Sequence, residues 1–351
     1  MVKTRSAWLS FIALTVGLVL LPLLVQAGLG RGWVRIIDMA LLYSMLALGL
    51  NIVVGYAGLL DLGYIAFYAV GAYVYALLDS PQFGLHWPVW AVLPLGAACA
   101  GLFGLLLGTP TLRLRGDYLA IVTLGFGEII RIFLNNLNTP VNITNGPQGI
   151  SVIDPIQFGT LSLAAPHTVG SIELSSPQQY YYLFLLVFLV IVFIAIRLQH
   201  SRIGRAWAAI REDELAAAAS GIPVRNLKLL AFSMGATFGG LAGGLFAGFQ
   251  GFVSPESFNL MESVMILCMI VLGGMGNVVG VILGAVLLTV LPEALRMLGD
   301  WQLNHLGHIV VNPDDVRMLL FGVALIGMML FRPAGLWPNR RIQREWRNKG
   351  S

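Results

Sequence analysis

The chain has 351 residues, 57% of them hydrophobic and only 11% charged, with a net charge of +4. Soluble domains carry about a quarter charged residues, so one water-soluble core is excluded and an all-α integral membrane protein is expected. The positive charge fits membrane topology better than a nucleic-acid partner, and the 41 glycines suit closely packed membrane helices.

Lys3 and Arg5 precede an apolar run from Ala7 to Ala27. The run exceeds the usual signal core of roughly 7–15 residues, so a retained first helix is expected; cleavage after Val25-Gln26-Ala27 is the competing reading. Further spans are expected near 33–55, 61–78, 88–108 and 118–135, with Arg113 and Arg115 in the loop before the last of these. A polar insert, 137–178, holds no Lys or Arg. A span from Gln179 to Ile196 leads to a charge-mixed loop, 197–228, and another runs from Leu229 to Gln250. Ser263 to Pro292 is 30 residues without a charge. As one helix it would be about 45 Å long, well beyond a hydrocarbon core of about 30 Å. A break at Gly273–Asn277 divides it into spans near 259–274 and 278–297. A tenth span, near 316–331, precedes a basic tail, 332–351.

Arginines in the loop 197–228 and in the tail place both in the cytoplasm, and their absence from 137–178 and 299–315 places those segments outside. Both termini are then inside, which requires an even number of spans, and Arg31 and Arg35 are exceptions on the outer side.

Enzyme signatures are missing. There is no G-x-S-x-G and no H-E-x-x-H, and none of Lys3, Lys228 or Lys349 follows a glycine, so the chain holds no Walker A motif. Cys99 and Cys268 match no metal or disulfide spacing, and the sequence pair His305 and His308 makes only a weak metal signal. Glycines at 235, 239 and 243, and at 240, 244 and 248, form two rows for close helix packing or for a sliding face. Asp61, Asp117, Glu128 and Glu262 lie near span ends. Glu128 and Arg131 are spaced to pair, Asp117 suits an interfacial anchor, and Asp61 either caps the third helix or serves as an ion ligand.

In the loop, Ile203, Trp207 and Ile210 share one helical face, with Arg205 and Arg211 elsewhere around the axis. The alanines at 216–219 favour helix, and Gly221 with Pro223 ends it. One or two short interfacial helices follow, resting on lipid or docking another protein.

The order Arg205-Ala206-Trp207-Ala208-Ala209-Ile210-Arg211-Glu212-Asp213-Glu214, then alanines and Gly221, resembles the EAA-type loop of bacterial ABC importer permeases. More narrowly, it is similar to the M-type permeases of the branched-chain amino acid systems. Gly55-Tyr56-Ala57-Gly58, Arg113-Leu114-Arg115-Gly116-Asp117-Tyr118, Thr144-Asn145-Gly146-Pro147-Gln148-Gly149, Gln250-Gly251-Phe252-Val253-Ser254-Pro255, Leu272-Gly273-Gly274-Met275-Gly276 and Arg332-Pro333-Ala334-Gly335-Leu336 match that family in order. Two stretches depart from it. Leu59-Leu60-Asp61-Leu62-Gly63-Tyr64 replaces a Gln-Leu-Ser-Leu-Gly-His string, and alanines fill 217–219. Both departures bear on substrate detail.

The resemblance implies one transmembrane permease domain over 1–351, with an ABC importer permease fold of about ten helices. It implies a non-enzymatic subunit of the bacterial inner membrane that moves branched-chain or related amino acids by alternating access. The partners would be a homologous permease, two ATP-binding subunits carrying ATP and magnesium, and a periplasmic binding protein. This chain would hold no cofactor. Arg205, Trp207, Arg211, Glu212, Asp213, Glu214 and Gly221 would dock the ATPase, and Glu214→Lys would uncouple hydrolysis from uptake. Gly55, Gly58, Asp61, Gly63, Gly273, Gly274 and Gly276 would line or hinge the path. The tail would lie on anionic headgroups, and the insert 137–178 either receives the binding protein or lacks basic residues for topology alone. An ion-coupled secondary transporter, or the same permease type carrying urea or short amides, is the alternative.

Overall fold

The computed structural model describes residues 17–111, 114, 116–159, 161–169, 172–306, 312–332 and 335–337. Lys3, Arg5, Arg113, Arg115, His308 and the basic residues of the tail beyond Arg332 lie outside them.

Ten helices overlap the ten expected spans, the first of them only from Gly17, since residues 7–16 lie outside the described residues. They are α1 (Gly17–Leu29), α2 (Arg31–Leu50), α3 (Ile65–Leu78), α4 (Val89–Thr111), α5 (Asp117–Asn136), α6 (Ser176–His200), α9 (Val224–Gln250), α10 (Leu260–Gly273), α11 (Val278–Leu306) and α12 (Pro313–Phe331). Between α6 and α9 lie two short helices, α7 (Arg202–Glu212) and α8 (Glu214–Ala219). Among the described residues, five helices are long and apolar enough to cross a membrane. The long apolar run breaks where expected, since α10 stops at Gly273 and α11 starts at Val278. α11 continues to Leu306, past the expected end near 297, with Pro292 inside it.

The 27-residue α9 is the central post. Its two glycine rows serve two different neighbours. A Cβ on Gly243 would lie 2.1 Å from the Tyr68 carbonyl oxygen of α3, and one on Gly240 would lie 2.3 Å from the Ala100 side chain of α4. Both rows are packing seams, and without side chains there the backbones approach closely enough for dispersion contacts along their length.

The insert folds into short antiparallel ribbons. β2 (Gln157–Phe158) pairs with β3 (Leu161–Ser162), and β4 (His167–Val169) with β5 (Ile172–Leu174). β1 (Ile150–Ser151) pairs with β6 (Phe252–Val253), which follows α9. The insert is thereby fastened to the end of the central post, and a capping box at Ser175 and Gln178 starts α6. The bundle thus has a β end and an opposite end carrying α7 and α8.

Candidate functional site

Two apolar helices inside the bundle, described at both ends, are too short to cross. α3 and α10 have 14 residues each, about 21 Å of helix against a core of about 30 Å. Each is preceded by non-helical chain, at 57–64 and 251–259, apart from a 3-10 turn at Pro255–Phe258. α3 begins beside the middle of α9, where the Tyr64 hydroxyl donates to the Gly235 carbonyl at 3.0 Å. α10 begins beside the middle of α2, where the Tyr43 hydroxyl donates to Glu262 at 2.9 Å. The two starts meet, because the Ile65 N–H donates to the Ser263 hydroxyl at 3.1 Å. Non-helical backbone at this depth is tolerated only where protein or a cavity satisfies it.

Side chains do that here. The Asp61 carboxylate accepts from the Gly63 N–H at 2.9 Å, and Thr123 of α5 accepts from the Leu62 N–H at 3.0 Å. Asp61 is therefore not the cap expected for the third helix. It closes a local turn two residues long, and α3 starts only at Ile65. Gly63 lies directly under α5, where a Cβ would come 2.0 Å from the Thr123 carbonyl oxygen.

Between these starts and α5 lies a cavity of about 210 Å³, lined by Leu62, Ile65, Leu124, Gly127, Glu128, Phe258 and Leu260. Its wall is apolar apart from Glu128. That carboxylate is held by Arg131, whose Nε lies 3.1 Å from both oxygens and whose Nη2 lies 2.5 Å from one, a two-pronged pairing that fixes its direction. The pair is 40% and 33% exposed on a helix that also exposes Tyr118, Ile121, Ile129 and Phe133.

The second group of expected residues sits at the α7–α8 end. Ser201 caps α7, accepting from the Gly204 N–H at 3.1 Å. Trp207 is fully buried and its indole N–H donates to the Leu227 carbonyl at 2.7 Å. It therefore fastens α7 to α9 and is not a surface contact. Asp213 caps α8 through the N–H groups of Leu215 and Ala216. Glu214 pairs with the buried Lys228 at 2.8 Å, and Gly221, at φ 82, turns the chain into α9. Arg205 and Glu212 are exposed. So is Leu215, at 70%, an apolar side chain on α8 that an inspection of charges alone passes over.

Arg211 joins the two groups. It donates to the Gly55 carbonyl at 2.6 Å and its side chain packs on Gly58. Gly55 lies in a π-helical turn, Asn51–Tyr56, that ends α2; such turns mark functional sites in many helices. In the same turn Asn51 accepts from the Gly276 N–H at 2.9 Å, and Gln199 of α6 donates to the Gly276 carbonyl at 3.2 Å. Gly273 and Gly274 form the rest of that break, and the Leu336 and Trp337 N–H groups donate to the carbonyls of Leu272 and Gly273 at 2.9 and 3.1 Å. Of the expected path residues, Gly55, Gly58 and Gly273 to Gly276 thus lie at the α7–α8 end, whereas Asp61 and Gly63 lie at mid-depth. The segment from Asn51 to Tyr64 runs from one place to the other.

Asp38 on α2 is also buried, and neither carboxylate oxygen has a hydrogen-bond partner among the described residues. It directly precedes a long uncharged run, where a lone carboxylate is the available sequence signal.

A helical membrane bundle with broken helices, a mid-depth cavity and a helical loop tied to the breaks is the layout of a transporter. The family model for the branched-chain amino acid transport system permease component matches residues 32–329. The chain belongs to this family. As a family member it is a multi-pass membrane permease rather than an enzyme. It is 44% identical to the high-affinity branched-chain amino acid transport system permease protein LivM of Escherichia coli K12, over 99% of this chain and 78% of that protein. It is 45% identical to LivM of Salmonella typhimurium LT2, over 89% and 72%. The permease LivH of the same Salmonella strain is 26% identical, over 72% of this chain and 81% of that protein. No solved structure matches the chain.

Proposed function

We propose that this permease carries branched-chain or related amino acids inward across the bacterial inner membrane, driven by ATP hydrolysed on two partner subunits that hold the nucleotide and magnesium. The observation that carries the reading is the bond from Arg211 to Gly55. It couples the α7–α8 loop to the segment that frames the cavity, so a rigid shift of the loop moves the mid-depth wall. The loop is then cytoplasmic, with Arg205, Glu212 and Leu215 offered to the ATPase. Both termini are cytoplasmic, and the β end faces a periplasmic binding protein.

The second permease covers α5. Ionised side chains facing lipid cost about 2.5–3.5 kcal/mol each near the membrane centre, and a partner helix with an aqueous path would relieve Glu128 and Arg131 of that cost. LivH-type chains, themselves similar to this one, supply a partner of matching build. The apolar cavity suits an aliphatic side chain better than urea.

The test is reconstitution in liposomes with two ATPase subunits, an LivH-type permease and a branched-chain binding protein. ATP-dependent accumulation of labelled leucine is expected, as is a disulfide between cysteines placed at Ile129 and on the partner. Uptake by this chain alone on a sodium or proton gradient overturns the reading.

A further inference from the structure

Three side chains outside the transport machinery converge at the β end. Asp79 closes α3, His86 lies in the loop before α4, and Asp154 follows β1. One ligand atom from each lies within 4.8 Å of the other two, and His86 Nδ1 contacts Asp154 Oδ2. The backbone builds this meeting. The Asp154 N–H donates to the Asp79 carbonyl at 2.9 Å, and the Trp87 N–H to the Leu78 carbonyl at 3.1 Å. His86 itself is held at φ 45, a left-handed conformation uncommon outside glycine.

Burial grades across the cluster. Asp79 is 7% exposed, whereas the side chains of His86 and Asp154 are 51% and 30% exposed. Beneath Asp79 lies the Tyr75 hydroxyl, fully buried and close enough to interact with that carboxyl. Two carboxylates face one imidazole, a donor set of two oxygens and one nitrogen.

The geometry points to a divalent transition-metal site of the zinc class, with one oxygen from Asp79, one imidazole nitrogen from His86 and one oxygen from Asp154. Zinc binds such ligands at about 2.0–2.2 Å, which sets its ligand atoms roughly 3.3–3.6 Å apart, so His86 Nδ1 and Asp154 Oδ2, now in contact, would part to admit the ion while the Asp79 oxygen, within 4.8 Å of both, completes the set. The fourth position opens to solvent on the side of His86 and Asp154, which also gives the ion its way in. The imidazole selects against magnesium and calcium, which take oxygen ligands. Tyr75 supplies an outer hydrogen bond to orient the Asp79 carboxylate. Bound metal would staple the end of α3, the loop to α4 and the insert. The site does not depend on the transport reading.

The test uses the full chain in detergent, purified through a histidine-free tag and loaded with zinc chloride. Zinc retained after gel filtration is measured by atomic emission, and melting temperature is recorded with and without zinc. One zinc per chain and a raised melting temperature are expected for the wild type. His86→Ala and Asp154→Asn each retain none and gain no stability from zinc. Magnesium and calcium at equal concentration give no shift. Because His86 is half exposed, its truncation leaves the metal-free melting temperature unchanged, which separates lost metal from lost fold. Wild-type chain without retained zinc, or equal retention by His86→Ala, overturns the proposal.

Discussion

Arg211 and Gly55 are 156 positions apart in sequence, yet a guanidinium N–H of one donates to the carbonyl of the other at 2.6 Å. A charged donor on a backbone acceptor is worth about 1.5–3 kcal/mol. The bond holds α7 against a π-helical turn whose Asn51 reaches the α10–α11 break, which α6 also holds through Gln199. Arg211→Ala should therefore lower ATP-driven uptake by on the order of tenfold. The chain should still insert and still bind its ATPase through the exposed face of α8. Liposome uptake and co-purification of the ATPase measure the two effects separately, and unchanged uptake would remove the bond from the mechanism.

Glu214 reads differently once its partner is known. It neutralises Lys228, which is 5% exposed at the side chain, so Glu214→Lys sets a second cation against this buried one. The loss in stability should be about 2–3 kcal/mol, below the figure for a fully buried pair because Glu214 is 32% exposed. Any uncoupling by this variant would come from a loosened α8. The double variant Glu214→Lys, Lys228→Glu should recover part of the melting temperature; no recovery would show that the pair contributes little.

Gly243 tests the packing seam. A Cβ there would press on the Tyr68 carbonyl at 2.1 Å, so Gly243→Ala should separate α3 from α9 and destabilise the chain by about 1–3 kcal/mol. Gly322 meets nothing within 4 Å, and Gly322→Ala should leave the melting temperature level or slightly raised, since alanine favours helix by about 1 kcal/mol. Equal effects from the two variants would contradict the seam.

Leu124 is half-buried on the cavity wall. Leu124→Trp should fill much of the 210 Å³ space and reduce leucine uptake strongly, with ATPase binding at the far end of the bundle intact. Undiminished uptake would place the path elsewhere.

The sequence by itself determined the solvent, the helical class and the family. Hydrocarbon thickness fixes how many apolar residues a span needs, so Gly273–Asn277 was legible as a break from the length of the run alone. The amphipathic order of Ile203, Trp207 and Ile210 likewise foretold a helix with one packed face. Tertiary structure alone decided what each polar residue does. Asp61 and Trp207 turn inward and Glu214 leans onto a buried amine, because donors and acceptors removed from water must find partners wherever the fold supplies them, while Asp213 stays exposed and caps α8. The juxtapositions of Arg211 with Gly55, of Ile65 with Ser263, and of Asp79, His86 and Asp154 all join segments far apart in the chain. Such contacts have no local period or spacing to betray them; they exist only once α9 has gathered the other helices around its glycine seams.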